Sequence, residues 1–331
     1  MKKALFVLHE SSYETIYGPE QRARIGERVE LVAPPQTAQT VSDDPSVLRD
    51  VELIFSGWGM PTMDAPLLAA APRLEAVFYG AGSVRGFVTD ALWDRGIVVT
   101  SAWAMNAVPV AEFALSQILF ALKRGWQHAL AIRDRGPEGR ARLAVPGAYG
   151  TTVGIISLGA CGRRVCELLR PFDLDVLACD PYVDDAVFEQ LGARRASLEA
   201  IFEQADVVSL HAPNLPATRG MVTGAHFESM KPGATFINTA RGDVVREREM
   251  VAALLRRTDL WAILDVLAHG DRGEDPAIYE LPNVVLTPHI AGSMDGECRR
   301  MGQAMVDELG RYLAGEPLRW QITRERAALM A

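Results

Sequence analysis

Residues 152–180 read T-V-G-I-I-S-L-G-A-C-G-R-R-V-C-E-L-L-R-P-F-D-L-D-V-L-A-C-D. The apolar run 153–156 has the length and β-branching of a buried parallel strand. Gly159 and Gly162 turn the chain into a helix that Pro171 stops, and a second apolar run, 174–179, ends on Asp180. This order of strand, glycine turn, helix, strand and acid is that of a dinucleotide-binding unit. Gly159 lets backbone approach a pyrophosphate, Gly162 lets helix and strand pack closely, and the helix N-terminus offers unpaired N–H groups to the anion. Arg163 and Arg164 oppose the helix dipole in the first turn, which makes sense beside phosphates. Ser157 stands where such turns usually carry their first glycine. Asp180 lies about 20 residues on, where a carboxylate takes the ribose hydroxyls of NAD. Asp184 and Asp185 follow it with no nearby arginine, so a 2′-phosphate would be repelled and the cofactor reads as NAD rather than NADP.

The chain has 331 residues, enough for two domains with a full core each. Its 49% hydrophobic and 23% charged residues are those of a globular protein. A formal charge of −8 argues against nucleic acid and anionic membrane as partners. Cys161, Cys166, Cys179 and Cys298 have no metal-ligand spacing, so no metal site is expected. They read as buried thiols of a reducing, cytoplasmic compartment.

Outward from the quoted stretch, apolar strands alternate with helical segments on both sides. Before it come strands at 4–8, 29–32, 52–55, 76–79 and 97–99, with helix candidates at 66–71 and 87–93. After it come 207–210, 235–238, 262–264 and 284–287, and 293–314 reads as a further helix. Such alternation implies two doubly wound parallel-sheet α/β domains. Asn106 and Pro109 suggest the start of a helix through 124 that is apolar on nearly every face. It is expected to be buried in a core or a subunit interface, and its apolar part near 109–122, which carries Glu112 and Gln117, to be too short to cross a bilayer. The Gly-, Pro- and Arg-rich stretch 125–150 reads as an extended arm or loop.

In open α/β sheets, ligands sit beyond the carboxyl ends of the strands. In the second block those positions hold Gly159, Asp180, His211, Thr239-Ala240-Arg241, Asp265 and His289. In the first block they hold Gly57-Trp58-Gly59 and Gly80-Ala81-Gly82-Ser83, the latter a small-residue loop whose N–H groups suit a carboxylate. Arg241 can clamp a carboxylate through two parallel hydrogen bonds. His289, with an unperturbed pKa of about 6.5 for its residue type, is the leading proton donor. His211 is expected to wall the adenine side. Trp58, Trp103 and Met105 are candidates to line the substrate site, although packing is the commoner role for aromatic residues in such places.

Together these motifs resemble the D-isomer-specific 2-hydroxyacid dehydrogenases, the formate/glycerate dehydrogenase family. The resemblance rests on V-A-E-F-A-L (110–115), V-G-I-I-S-L-G-A-C-G (153–162), D-V-V-S-L-H-A-P (206–213), M-K-P-G-A-T-F-I-N-T-A-R-G (230–242), L-D-V (264–266) and L-P-N-V-V-L-T-P-H-I-A-G-S (281–293). It implies a Rossmann NAD-binding domain, 104–293, inserted into a flavodoxin-like substrate-binding domain formed by 1–103 and 294–331, with dimerisation through the former. It makes Arg241 the substrate-binding arginine, His289 the acid/base and 81–83 the carboxylate loop. To the cofactor it assigns Gly159, Ala160, Cys161, Gly162, Asp180, His211, Pro213, Thr218, Thr239, Ala240, Asp265, Ala291 and Gly292. The implied reaction is NAD-dependent interconversion of a small 2-ketoacid and the D-2-hydroxyacid.

One position departs from the family pattern. A glutamate that hydrogen-bonds the histidine is usual five residues after the aspartate of Asp-Val, and here that residue is Gly270. Asp271, Glu274 or Asp275 could reach in only if the loop is rearranged. Without a carboxylate neighbour, ketoacid reduction is expected to be weak and to fall off as pH rises. An NAD(H)-binding sensor or scaffold of limited activity is therefore the alternative, with formate or phosphite oxidation a lesser one.

Overall fold

Residues 1–330 are described here from a computed structural model. The chain forms two compact units, Met1–Asn106 with the segment from Ser293 onward, and Ala107–Gly292. In the first unit the strands are β1 (Lys3–Val7), β2 (Glu30–Leu31), β3 (Leu53–Ser56), β4 (Ala76–Tyr79) and β5 (Val98–Ser101). They lie parallel in the order β2-β1-β3-β4-β5, the flavodoxin-like arrangement, and the strand Gln321–Ile322 joins β5 antiparallel. Strands β3 and β4 are buried at every residue, which is why their sequences are unbroken apolar runs rather than alternating ones.

The second unit holds β6 (Tyr149–Ile156), β7 (Asp173–Cys179), β8 (Arg194–Arg195), β9 (Val207–Leu210), β10 (Thr235–Asn238), β11 (Trp261–Leu264) and β12 (Val284–Leu286). All are parallel, in the order β8-β7-β6-β9-β10-β11-β12. The chain winds outward from β6 in both directions, so the carboxyl ends of β6 and β9 form the switch point where doubly wound sheets bind ligands. One face is covered by Phe202, Phe227, Phe236, Met250 and Leu254, the other by Ala114, Ile118, Leu122, Val165 and Leu169.

Several sequence expectations are corrected. The apolar helix is Trp103–Leu122, 20 residues long, so Asn106 and Pro109 lie inside it rather than at its start. Asn106 does not cap; its Oδ1 accepts from Ser293 N at 3.0 Å. The helix is not too short either: at 20 residues it meets the length and composition of a membrane span. Its Ala111, Ala114, Ile118, Ala121 and Leu122 are nonetheless spent on the core of the second unit. The stretch 125–150 is not an extended arm throughout. Gly125–Arg135 is helical, followed by a 3₁₀ turn at Gly136–Arg140. No residue of that helix is fully buried; Trp126 is only partly buried against the second unit's core.

Candidate active site

The glycine turn folds as a phosphate cradle with an unusual first residue. Ser157 sits at φ 74°, a left-handed conformation that disfavours a side chain. Its Oγ lies 3.2 Å from Asp180 Oδ2, which also accepts from Leu158 N at 2.8 Å. Asp180 Oδ1 accepts from Tyr182 N at 2.9 Å, so the carboxylate is fixed before any ligand arrives. Gly162 is obligatory, because a Cβ there would stand 2.0 Å from the Ser157 carbonyl oxygen. Gly159 caps the helix Ala160–Leu169 with no side-chain bond, and a Cβ on it would meet no described atom within 4 Å. The first-turn N–H groups and the space beside them are thus left for an anion. Arg163 turns back to donate to Leu158 O at 2.7 Å, and Arg164 pairs with Glu167 at 3.0 Å, so the latter is not turned toward the cradle as expected.

Beyond β9 and β10 the orphaned polar atoms point to the same ligand. His211 is buried; its Nε2 lies 3.0 Å from Ser209 Oγ, while Nδ1 has no partner among the described residues. Burial pushes its pKa down to about 4, so the ring is neutral. Thr239, at the same level on the neighbouring strand, buries an equally unpartnered Oγ1. Buried polar atoms without partners are rare, and a pair of them beside a phosphate cradle fits NAD. Pro213 and Thr218 stabilise the loop after β9, where Thr218 Oγ1 donates to Pro213 O and accepts from Leu215 N at 2.9 Å. Cys161 is half-buried; burial pushes its thiol up to about 11, and the Arg241 guanidinium pulls weakly the other way.

Arg241 follows β10 and His289 follows β12, with β11 between them in the sheet. At a strand spacing of about 4.8 Å their backbones leave the same edge roughly 10 Å apart. Asn238, buried, shapes the first departure: its Oδ1 accepts from Ala240 N at 2.9 Å and its Nδ2 donates to Arg241 O at 3.1 Å. Arg241 Nη1 also donates to Ala240 O at 2.6 Å. Asp265, 2% exposed, shapes the second. Its carboxylate accepts from Thr287 Oγ1, Ile290 N and Ala291 N, and its carbonyl from His289 N at 3.0 Å. Ala291 N is thereby committed within the protein, and Gly292 closes this segment.

Gly270 does not leave His289 without a carboxylate. His289 Nδ1 lies 2.6 Å from Asp271 Oδ2. The loop reaches it because His269 (φ 53°), Gly270 (φ 67°) and Asp271 (φ 66°) are successively left-handed, with Asp271 Oδ1 accepting from Leu267 N at 2.9 Å. Of the other two candidates, Glu274 pairs with His269 at 3.1 Å and Asp275 caps the turn at Ala277. Among the described residues, four of the six non-glycine residues at positive φ are Ser157, His269, Asp271 and His289. Such conformations concentrate at functional sites, where surrounding structure imposes them.

Ala81, Gly82 and Ser83 belong to the other unit, where the Ala81 and Gly82 carbonyls accept from Ser101 Oγ at 2.9 and 2.5 Å. Trp103 stacks edge-on against Trp320 at 6.0 Å and Met105 packs into the core of that unit, so both are packing residues; Trp58 is exposed. Sequence reasoning missed Asn238, and it could not choose Asp271 among three acids. Among the described residues no cluster of metal ligands is found.

Residues 115–291 match the sequence model of the D-isomer specific 2-hydroxyacid dehydrogenase NAD-binding domain. The chain is 32% identical over 300 residues to D-3-phosphoglycerate dehydrogenase of Mycobacterium bovis, covering 90% of this chain but 56% of that one. It thus spans a little over half the length of such relatives. It is also 32% identical over 285 residues to (S)-sulfolactate dehydrogenase of Chromohalobacter salexigens, covering 83% of this chain and 92% of the relative. Among solved structures, Rhodotorula graminis D-mandelate dehydrogenase superimposes with a TM-score of 0.82 over 98% of both chains at 23% identity, a likeness of fold.

Proposed function

The chain belongs to the D-isomer-specific 2-hydroxyacid dehydrogenases, and from that premise we propose that it interconverts a small 2-ketoacid and the D-2-hydroxyacid. The observation that carries the proposal is the His289–Asp271 contact of 2.6 Å on the sheet edge that also presents Arg241. An ionised carboxylate only accepts, so Asp271 holds the proton on Nδ1 and leaves Nε2 as the nitrogen that exchanges a proton with substrate oxygen. Asp271 also steadies the imidazolium after that exchange. Arg241 clamps the substrate and polarises its carbonyl oxygen, a task that the flat guanidinium fork suits better than lysine would. NAD, when bound, supplies or accepts the hydride at substrate C2. By the same family resemblance, Asp265 serves the cofactor while fixing the His289 turn.

The reading of a weakly active NAD(H) sensor or scaffold rested on a histidine with no carboxylate neighbour, and Asp271 removes that motive. Homodimerisation through the NAD-binding unit is supported by exposed apolar side chains of Phe120, Ile132, Leu143, Val145 and Tyr149, all in that unit. A cytoplasmic site of action is proposed on the four free cysteines.

The test is fluorescence titration with NADH, followed by turnover with ketoacids of increasing size. Glyoxylate and hydroxypyruvate come first, then phospho- and sulfo-substituted acids suggested by the relatives' names. Saturable binding with turnover to a D-2-hydroxyacid supports the proposal. Tight NADH binding with no turnover across the panel contradicts it and returns the sensor reading.

A further inference from the structure

We infer that Glu247 is a positioning residue, a buried clasp that holds the 267–275 loop in the one shape that brings Asp271 to His289. The inference rests on the proposed acid/base role of His289. Glu247 opens the helix Glu247–Arg256 and is 1% exposed. The neighbouring cations Arg248 and His269 pair with Glu274 instead, at 3.9 and 3.1 Å. Its carboxylate instead accepts three backbone N–H groups of the loop: Ala268 N on Oε2 at 2.9 Å, and Glu274 N and Asp275 N on Oε1, the latter at 3.3 Å. The clasp therefore grips the loop on both sides of residues 269–271 and leaves the left-handed run between its two anchors.

That geometry answers an energetic question. His269 and Asp271 are held left-handed without the glycine that would make it easy, and Gly273 adds a further left-handed turn at φ 75°. Such a loop relaxes unless something over-determines it. Short-range bonds help, from Leu267 N to Asp271 Oδ1 and from Gly273 N to Ala268 O, but both lie within the loop and move with it. Glu247 is anchored outside. So is Gly242, where a Cβ would stand 1.9 Å from the Leu267 carbonyl carbon, so backbone beside Arg241 touches the loop's entry directly. A carboxylate suits the clasp because it accepts at both oxygens, and placement in the first helical turn favours its negative charge. Other charged groups around the dyad are already occupied: Asp265 binds the 287–291 segment, Asp243 accepts from His269 N at 3.3 Å and bonds Asn214, and Glu274 pairs with His269.

The experiment compares Glu247→Gln, Asp271→Asn and the double variant in the full-length protein. Two readouts are taken: kcat/KM for ketoacid reduction with the NADH Kd, and the ¹⁵N shift of His289 Nδ1 observed through its ring protons. If Glu247 acts through Asp271, Glu247→Gln loses about as much kcat/KM as Asp271→Asn, near tenfold. The NADH Kd stays within twofold, and the double variant is no worse than Asp271→Asn alone. The Nδ1 shift moves equally in both single variants. Glu247→Asp, which keeps the charge but shortens the arm, gives a smaller loss and serves if Glu247→Gln does not fold. Wild-type activity in Glu247→Gln, or losses that multiply in the double variant, overturns the inference. A protein that turns over no ketoacid refutes the proposed function instead; the inference then stands or falls on whether Glu247→Gln moves the Nδ1 shift as Asp271→Asn does.

Discussion

Replacing Asp271 with asparagine removes the charge beside His289 while keeping the shape of the loop. Asparagine tolerates left-handed backbone as well as aspartate does, and its side-chain oxygen can still accept from Leu267 N. What is lost is the attraction between carboxylate and imidazolium. Two unit charges about 4 Å apart attract by about 1 kcal/mol in water and about 4 kcal/mol at an effective dielectric constant of 20. The side chains of His289 and Asp271 are 48% and 39% exposed, which puts the pair toward the watery end. A loss of about 1.4 kcal/mol in transition-state stabilisation follows, or about tenfold in kcat/KM. Loss of charge also frees the imidazole to take the other tautomer, which adds to the effect. The assay is the initial rate of NADH oxidation with the best ketoacid, alongside NADH titration. A kcat/KM within twofold of wild type would refute the reasoning, as would an equal loss of NADH affinity.

Three further outcomes are expected. Asp180→Asn keeps one acceptor oxygen, and so only one of the two backbone N–H bonds to Leu158 and Tyr182, but removes the charge that repels a 2′-phosphate, so the NADPH-to-NADH Kd ratio falls about tenfold by fluorescence titration; an unchanged ratio counts against Asp180 as the ribose carboxylate. His211 has a folded pKa of about 4 against 6.5 for the free side chain, so the unfolded chain takes up the proton first. Its contribution is complete above pH 6.5 and is lost as pH falls through 4, about 3 kcal/mol in all, and His211→Gln should flatten the acid limb of stability in urea titrations. Gly242→Ala drives a Cβ into the Leu267–Ala268 backbone and should cost about 2 kcal/mol in urea unfolding together with most of the activity; a variant as stable and active as wild type would show that the loop yields there freely.

The parallel strands were legible in the sequence because both faces of each sheet are covered, leaving uninterrupted runs such as Leu-Ile-Phe-Ser and Thr-Phe-Ile-Asn. The edge strands Glu30–Leu31 and Val284–Leu286 were legible too, but the other two edges were not. Arg194–Arg195 is two exposed charged residues, and Gln321–Ile322 is as short, so neither carries a pattern. The helix Gly125–Arg135 has no fully buried residue and begins on a glycine, which local composition reads as loop. Strand-end logic located Arg241, Asp265 and His289, since a parallel sheet presents its carboxyl ends on one edge. It could not select Asp271, because counting residues assumes an ordinary backbone and this loop runs left-handed three times in succession. Asn238 and Glu247 were invisible for a related reason: their partners are backbone amides, which leave no mark on the sequence.

The most direct measurement is kcat/KM for ketoacid reduction by His289→Asn beside wild type, with the NADH Kd measured on both. The account predicts a loss of at least about a hundredfold, the usual scale for removing a general acid, with NADH binding unchanged. A variant that keeps wild-type turnover while binding NADH normally would contradict it.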